Sequence, residues 1–431
     1  MNFKNFTTTL AVTLVPLEWS ADSIEMALQT KLPRRFARQA ATMADALQLE
    51  FPKTYAPSVA AISRCLAELP EAHTIWAYAR EHNVWPDTSP NLTPAVFAPA
   101  TPFVDFDLPK LSNSQELADW LGITPEMLIR LADKKGLSNR TNNVFAPHYR
   151  FHIHTKPSGD LRLIEEPKPM LKKLQRRILT DLLNLIPPSP AAYGFTIGRD
   201  CLSAAAIHAG EEMVVCFDLQ SFFPSVSHAR IFGLFRTLGY PHAVAQDLTG
   251  LTTLASPSHV LTQHAFQQRN LLAHRHLPQG APTSPALANL ATFNLDRRLS
   301  GLARRFDAHY TRYADDMTFS GAASIVRPLL HILPQIVRAE GFTLNPSKTR
   351  AQHSARRQFT TGLVVNQKIN IPRPAYDQLK ATIHHLKNPD DPRRINPAFL
   401  VSLSGRITWV ERVNPARGHK MRERLAAALT G

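Results

Sequence analysis

Residues 309–321, HYTRYADDMTFSG, set two aspartates, Asp315 and Asp316, between two runs that alternate apolar and polar side chains as strands do. Successive side chains of a strand point to opposite faces, so adjacent aspartates within a ladder diverge, whereas at a hairpin tip they can converge. Tyr310 and Arg312 before the pair and Met317 and Phe319 after it predict two strands connected by Ala314-Asp315-Asp316. An isolated Asp-Asp pair there would be ordinary turn chemistry. A second segment changes the reading: in EEMVVCFDLQSFFPSV (211–226) a short apolar strand, Met213 to Phe217, delivers Asp218 at its end. Three converging carboxylates repel one another unless cations sit between them. Two magnesium ions would neutralise the cluster, activate a hydroxyl and stabilise departing phosphate oxygens.

Charge and composition agree with a phosphate-rich partner. The chain has 431 residues, is 44% hydrophobic and carries a formal net charge of +15, which fits a globular protein of two or three domains. Residues 1–110 hold 9 Lys and Arg against 11 Asp and Glu, whereas residues 342–431 hold 16 against 5, a net of +11. Such a concentration of basic charge favours a polyanion, most simply nucleic acid. The three cysteines, Cys65, Cys201 and Cys216, are widely spaced and form neither a disulfide framework nor a zinc motif, so a cytoplasmic location is the default. No signal peptide is read at the N-terminus, and no apolar run reaches the roughly 20 residues of a membrane span, so no membrane partner is expected.

Residues 1 to about 85 repeat apolar side chains at helical spacing, and six prolines between Trp85 and Lys110 mark a linker or an irregular packed arm. In SNSQELADWLGITPEMLIRLADKKG (112–136), Gly122 ends one helix, and Thr124 with Pro125 opens another. The second helix lacks base-reading side chains, so a packed helical hairpin is expected rather than a DNA-reading motif. HYRFHIHTKPSGDLRLIEEPKP (148–169) reads as a β-hairpin turning at Pro157 to Asp160, and His152 and His154 on it have no third metal ligand nearby. A basic amphipathic helix follows Pro169. LPQG (277–280) is a tight loop in which Gly280 permits close backbone approach to a ligand, and Ser284 with Pro285 is expected to cap and start a helix whose Leu287, Ala291, Leu295 and Leu299 face a core. A helical, Arg-rich segment runs from Pro374 to the end.

CFDLQSFFPSV, LPQGAPTSPALANL, RYADDMTFS, GFTLNPSKTR and TTGLVVN occur in the order of the palm motifs of reverse transcriptases, and the sequence resembles their retron and group II intron branch most. KPSGDLRLIEEPKPMLKKLQRRIL and AAYGFTIGRD are similar to that branch's finger motifs. The resemblance implies a mixed α/β (α+β) right-hand polymerase fold: a helical N-terminal extension over 1–110, fingers and palm over 111–370, and a basic helical thumb over 371–431. It implies Asp218, Asp315 and Asp316, with the Leu219 backbone carbonyl, as ligands of two Mg2+ ions, Mn2+ being the alternative. Arg162 would grip the triphosphate, assisted by Lys156; Gln279 would contact the incoming nucleotide. Lys348 would protonate the departing pyrophosphate or stabilise its charge. Gly362 would lie in the strand that grips the primer end. Phe223, five residues after Asp218, resembles the steric gate: a ring there leaves no room or partner for a ribose 2′-hydroxyl, which favours dNTPs.

The short C-terminus, LRLIEEPK, and TGLVVN followed by INIPR resemble a retron reverse transcriptase, which copies part of a cognate structured noncoding RNA into single-stranded DNA. Such enzymes hold an RNA/DNA hybrid, commonly prime from an internal guanosine 2′-hydroxyl, and in many cases serve antiphage defence with an effector protein. Two departures stand out: Thr360-Thr361-Gly362 replaces the family's Val-Thr-Gly, and Asn-Ala-x-x-His is absent between Val226 and Leu277. The alternatives are a stand-alone group II intron-like, diversity-generating or other defence-associated reverse transcriptase, and a non-enzymatic RNA-binding scaffold. If the C-terminal charge tracks nucleic acid, neutralising Arg406, Arg412 and Arg417 together flattens the dependence of log K on log salt by about one unit per lost phosphate contact, as measured by binding titrations at several salt concentrations.

Overall fold

The computed structural model describes residues 1–15, 19–52, 57–86, 96–137, 148–155, 159, 161–262 and 265–430. Two compact units emerge, Met1–Ala95 and Val96–Gly431. In the first, five helices, Phe3–Leu14, Ala21–Lys31, Ala37–Glu50, Val59–Glu68 and Pro70–His82, bury their apolar stripes in a core of their own that includes Phe6, Leu10, Ile24, Met43, Leu47, Ile62 and Ile75. The expected helical texture is present. The Pro-rich stretch does not all stay with these helices: Val96 onward belongs to the second unit, where Phe97 stacks obliquely on Tyr240 and Leu108 enters the core.

The second unit is built on a four-stranded antiparallel sheet. Its strands are numbered with the others in chain order: β1 (Tyr149–Thr155) and β2 (Leu161–Pro167) form a separate hairpin; β3 (Met213–Asp218), β4 (His309–Tyr313), β5 (Asp316–Gly321) and β6 (Arg350–His353) form the sheet in the order β4-β5-β3-β6; β7 (Phe359–Thr360) and β8 (Leu363–Val364) form a third, two-stranded piece. Every residue of β3 is buried, and the period of two explains how. Val215 and Phe217 face a core shared with the helices Ser284–Ala291, Phe293–Arg305 and Val326–Ala339, while Val214 and Cys216 face a second core closed by Leu363, Leu379, Ile407 and Met421. A strand covered on both faces has its end fixed by packing from either side.

The helices Ser114–Leu121 and Pro125–Ala132 form the expected hairpin, with Gly122 in a left-handed conformation and Thr124 accepting from the Met127 N–H. Their Leu117, Leu121, Leu128 and Leu131 lie in the main core. The helix after LPQG starts differently from the expectation. Ser284 is its first helical residue, the N-cap is Thr283 with no side-chain capping bond, and the helix stops at Ala291 before a second begins at Phe293. Leu287, Leu295 and Leu299 are fully buried, and Ala291 is half-buried.

The C-terminal helices Arg373–His385, Pro397–Val413 and Pro415–Thr430 spend part of their charge on holding themselves together. Arg394 donates to the carbonyls of Leu386, Ala428 and Leu429; Arg412 pairs with Asp200, and Arg417 donates to Asn370. The Arg406 side chain is exposed and makes no ion pair or hydrogen bond among the described residues, and Arg417 meets only a neutral amide, so neutralising the three arginines is expected to change the salt slope by nearer two units than three. Among the described residues, no helix is long and apolar enough to cross a membrane.

His208 sits in the interior between the Ser320 and Thr311 hydroxyls, 2.8 and 2.7 Å from its two ring nitrogens. Burial, reinforced by His309, pushes its pKa down to about 3. The unfolded chain therefore takes up a proton below its ordinary value near 6.5 that the folded chain refuses, and stability falls as pH drops from there toward 3. His208→Gln is expected to remove up to about 1.4 kcal/mol per pH unit of that dependence, as read by urea unfolding at pH 7 and pH 5.

Candidate active site

Pairing of β3 with β5 sets Asp218 directly opposite Asp316, and Tyr313 opposite Asp316 closes the β4–β5 hairpin on Ala314 and Asp315. Ala314 adopts a left-handed conformation, φ 56°, which costs an alanine energy unless neighbours enforce it. They do. The Arg312 Nη1 donates to the Ala314 carbonyl at 3.0 Å, and Gly194 lies so close that a Cβ there would be 2.5 Å from the Ala314 nitrogen. Arg312 is fully buried and grips Asp296 through Nε and Nη2 at 2.8 and 2.7 Å, while the Tyr310 hydroxyl donates to the same carboxylate. Asn289 completes the frame by accepting from Arg312 Nη1 and donating to the Gly194 carbonyl.

Beyond the turn, the Leu219 N–H donates to the Asp315 carbonyl at 3.0 Å. The chain at 343–345 runs alongside: Gln220 donates to Thr343, Asn345 donates to the Asp218 carbonyl, and Leu219 bridges Leu344. This strip ends in the 3-10 turn Pro346–Lys348, which brings the Lys348 ammonium to 2.7 Å from Asp218 Oδ2. Lys348 is therefore a protein-borne counter-charge to the carboxylates.

The electrostatics of the three aspartates register their proximity. Burial, then the charges of Asp315 and Asp218, raise Asp316 to about 6. Asp315 is raised by burial and by Asp218, against the opposing fields of Lys348 and Arg162. Lys348 is raised overall: partial burial disfavours its charge, but the Asp218 hydrogen bond and the three carboxylates outweigh that. Among the described residues, no three His, Cys, Asp or Glu side chains form a ready-made cage for a metal ion. The donor set nevertheless suits a hard divalent cation such as magnesium or manganese: carboxylate oxygens crowded enough to raise one another's pKa, with room for the remaining ligands to come from water or substrate phosphates.

Of the other expected residues, those described lie apart from the three aspartates. Arg162 lies exposed on β2, and its field reaches Asp315. Phe223 is half-buried in the short helix Phe222–Ser225, its ring 5.4 Å from Phe222 and 6.2 Å from Phe195. Phe195, exposed and at φ 60°, follows Gly194 and had no distinguishing signal in the sequence beyond its place in AAYGFTIGRD. Gln279 is fastened through its backbone to Glu165 of β2, and Gly280 lies close to that strand: a Cβ would lie 3.0 Å from the Glu165 carbonyl. Gly362 occupies the β7–β8 turn at φ 87° with open space around it, so backbone conformation accounts for the glycine. Lys156, and the turn around it except Gly159, lie outside the described residues.

Because Asp316 has a folded-state pKa of about 6, above its ordinary value of 3.8, the folded chain holds a proton that the unfolded chain has released between those values. Stability falls as pH rises through that window, and the cost is fully present above it. Asp316→Asn is expected to raise the unfolding temperature in chelator at pH 7.5, with the gain shrinking at pH 4.5 and, because the Asp316 side chain is exposed and its interactions are screened by solvent, staying well below about 1.4 kcal/mol per pH unit crossed. Magnesium should stabilise the wild type more than this variant in the same thermal scans.

The sequence matches the family profile described as reverse transcriptase (RNA-dependent DNA polymerase) over residues 154–380, more than half of the chain. It is 39% identical over 283 residues to the Retron Mx65 reverse transcriptase of Myxococcus xanthus, covering 64% of each chain. It is 37% identical over 333 residues to the Retron Mx162 reverse transcriptase of Myxococcus xanthus, covering 72% of this chain and 66% of that relative. The Retron Ec86 reverse transcriptase of Escherichia coli is 32% identical over 285 residues, covering 65% and 79% respectively. The chain thus spans just under two thirds of the length of the two Myxococcus relatives.

Proposed function

The chain belongs to the reverse transcriptase family, and from that premise we propose that it is an RNA-directed DNA polymerase of retron type, which copies part of a cognate structured noncoding RNA into single-stranded DNA. The observation that carries this reading is the register that sets Asp218 against Asp316 at one end of the sheet, with Asp315 beside them and Lys348 bridging to Asp218. Similarity to three retron reverse transcriptases supports the choice of RNA and DNA over other polyanions.

In the proposed reaction, a primer hydroxyl oxygen attacks the α-phosphorus of a dNTP, the new P–O bond forms as the α–β anhydride bond breaks, and pyrophosphate leaves. Asp218, Asp315, Asp316 and the Leu219 carbonyl would hold two divalent cations, magnesium in the first instance, which when bound supply charge neutralisation and activation of the attacking hydroxyl. The residues of the chain do the rest. Arg162, whose planar fork of donors suits phosphate oxygens, orients the triphosphate, and Gln279 lines the incoming nucleotide. Phe223, stiffened by Phe222 and Phe195, closes the space a ribose 2′-hydroxyl would need. Lys348 holds a proton at Nζ beside the cluster and delivers it, or its charge, to the departing pyrophosphate. Gly362 lets the β7–β8 turn approach the primer end. The proposed setting is the cytoplasm, with an RNA/DNA hybrid as product and an antiphage effector protein as partner.

The test is co-expression with the native upstream DNA, followed by isolation of small nucleic acids with and without ribonuclease and a debranching enzyme. The expected result is a DNA of fixed length joined to RNA through a 2′,5′ linkage and absent with Asp315→Asn. A retron RNA carrying both the template and the priming hydroxyl makes initiation near-intramolecular, with the orientation advantage that brings. DNA free of any RNA attachment would exclude branched priming, and equal synthesis on unrelated primed templates would favour a group II intron-like enzyme.

A further inference from the structure

Glu165 has no solvent exposure, yet its carboxylate is saturated with donors. Oε1 accepts from the Ser256 hydroxyl, Oε2 accepts from the Gln279 backbone N–H at 3.2 Å, and His276 Nε2 lies 3.1 and 3.2 Å from the two oxygens. The other imidazole nitrogen, Nδ1, lies 2.7 Å from the His274 carbonyl, so both ring nitrogens face acceptors and the ring is a donor at each. Burial opposes a charge on His276, but Glu165 and the His274 carbonyl outweigh it, and its pKa is raised. In return, the Glu165 N–H donates to the Gln279 carbonyl at 2.8 Å, so β2 and the LPQG loop exchange hydrogen bonds in both directions.

The elements tied together here are those that carry the proposed nucleotide contacts. Arg162 lies three residues before Glu165 on β2, and Gln279 is held directly. Leu277, next to His276, donates to Val226, the residue that ends the helix bearing Phe223. The platform beneath is itself pinned: Leu254 and His276 exchange backbone hydrogen bonds at 3.0 and 2.9 Å, and the Arg275 guanidinium donates to the carbonyls of Ala132, Asp133, Gly250 and Thr253. A buried carboxylate and imidazole give up much hydration, so an apolar pair would serve a purely packed interface as well or better.

We propose that Glu165 and His276 are positioning residues for the incoming nucleotide: their buried pair locks the strand carrying Arg162 to the loop carrying Gln279, so that both contacts meet the same dNTP. This rests on the polymerase reading above. Glu165 itself touches no substrate; it acts through Arg162 and Gln279.

The experiment uses the full chain, an oligo(dT)-primed poly(rA) template and a dTTP titration. Glu165→Gln keeps the shape but removes the charged acceptor, and is expected to raise the KM for dTTP about tenfold, the effect of one charge-assisted hydrogen bond, with kcat within about threefold and primer-template Kd within about twofold. In an Arg162→Ala, Gln279→Ala background the same change should add less than about twofold, because it acts through those two residues. His276→Gln, which keeps one N–H donor, should raise KM about threefold. A lowered unfolding temperature with unchanged KM in Glu165→Gln would assign the pair to stability alone and overturn the proposal. Should that variant fail to fold, Ser256→Ala decides: about a threefold rise in KM supports the proposal, and an unchanged KM overturns it. Where the wild type extends only its co-expressed native RNA, the same titrations are run on that RNA; wild-type chain that extends neither template overturns the polymerase reading and this proposal with it, whereas normal wild-type extension with unaltered variants overturns the proposal alone.

Discussion

The arrangement of carboxylates hangs on an ion pair that touches none of them. Arg312 and Asp296 are both fully buried, and Arg312 is the largest wholly enclosed side chain among the described residues. Such a pair gains little over a well-packed apolar substitute, but loss of one partner strands a charge and costs about 3–5 kcal/mol. Here Nη1 of the fork supplies something an apolar side chain cannot. Its hydrogen bond to the Ala314 carbonyl holds a left-handed alanine at the head of the turn, and through Asn289 it also fixes the Gly194 carbonyl, whose residue packs against that same alanine. The turn is thus clamped from within β4 and from the 189–195 segment at once, and the positions of Asp315 and Asp316 follow from the clamp.

Around the turn, charge is distributed against the bulk of the molecule. A chain of net +15 concentrates three acids where β3 and β5 meet, and it compensates them locally: Lys348 by contact, Arg162 by its field. That compensation is partial, since Asp315 and Asp316 remain raised. An incompletely neutralised acidic cluster inside a basic protein favours cations. The basic helices at the C-terminus contribute less free charge than their composition suggests, because Arg412 and Arg422 are paired with carboxylates of the same unit.

What could be read from the sequence was local. The β4–β5 hairpin, the strand ending in Asp218, the helical hairpin around Gly122 and the helical N-terminal unit all announce themselves through alternation, helical spacing and turn chemistry. What could not be read was long-range. Asp296 and Asn289 lie 16 and 23 residues before Arg312 and look like helix-surface polar residues, and Glu165 meets His276 across 111 residues. Gly280 and Gly362 were legible as glycines with a backbone purpose, but only three-dimensional neighbours distinguish close approach to β2 from a simple left-handed turn. The Ser284 cap failed because the tight LPQG loop runs straight into helical backbone at Thr283, leaving Ser284 inside the first turn with a buried hydroxyl.

The departure at Thr360 shows how a motif difference can be compensated far away. Threonine replaces an expected valine of nearly the same shape, which in an apolar setting would bury an unsatisfied hydroxyl at a cost of about 1–3 kcal/mol. Its Oγ1 lies 2.7 Å from that of Thr318 on β5, and both residues are buried. One hydroxyl satisfies the other, and the pair stitches the β7–β8 hairpin to the strand that begins with Asp316. Exchanging either threonine alone for valine would take this partner from the other hydroxyl and leave it the Cys216 thiol, which lies beside both. Their 42-residue separation hides this from motif matching, which sees at Thr360 only a deviation. At position 360 a β-branched side chain docks the hairpin on the sheet, and its hydroxyl adds a directional bond between the β7–β8 hairpin and β5.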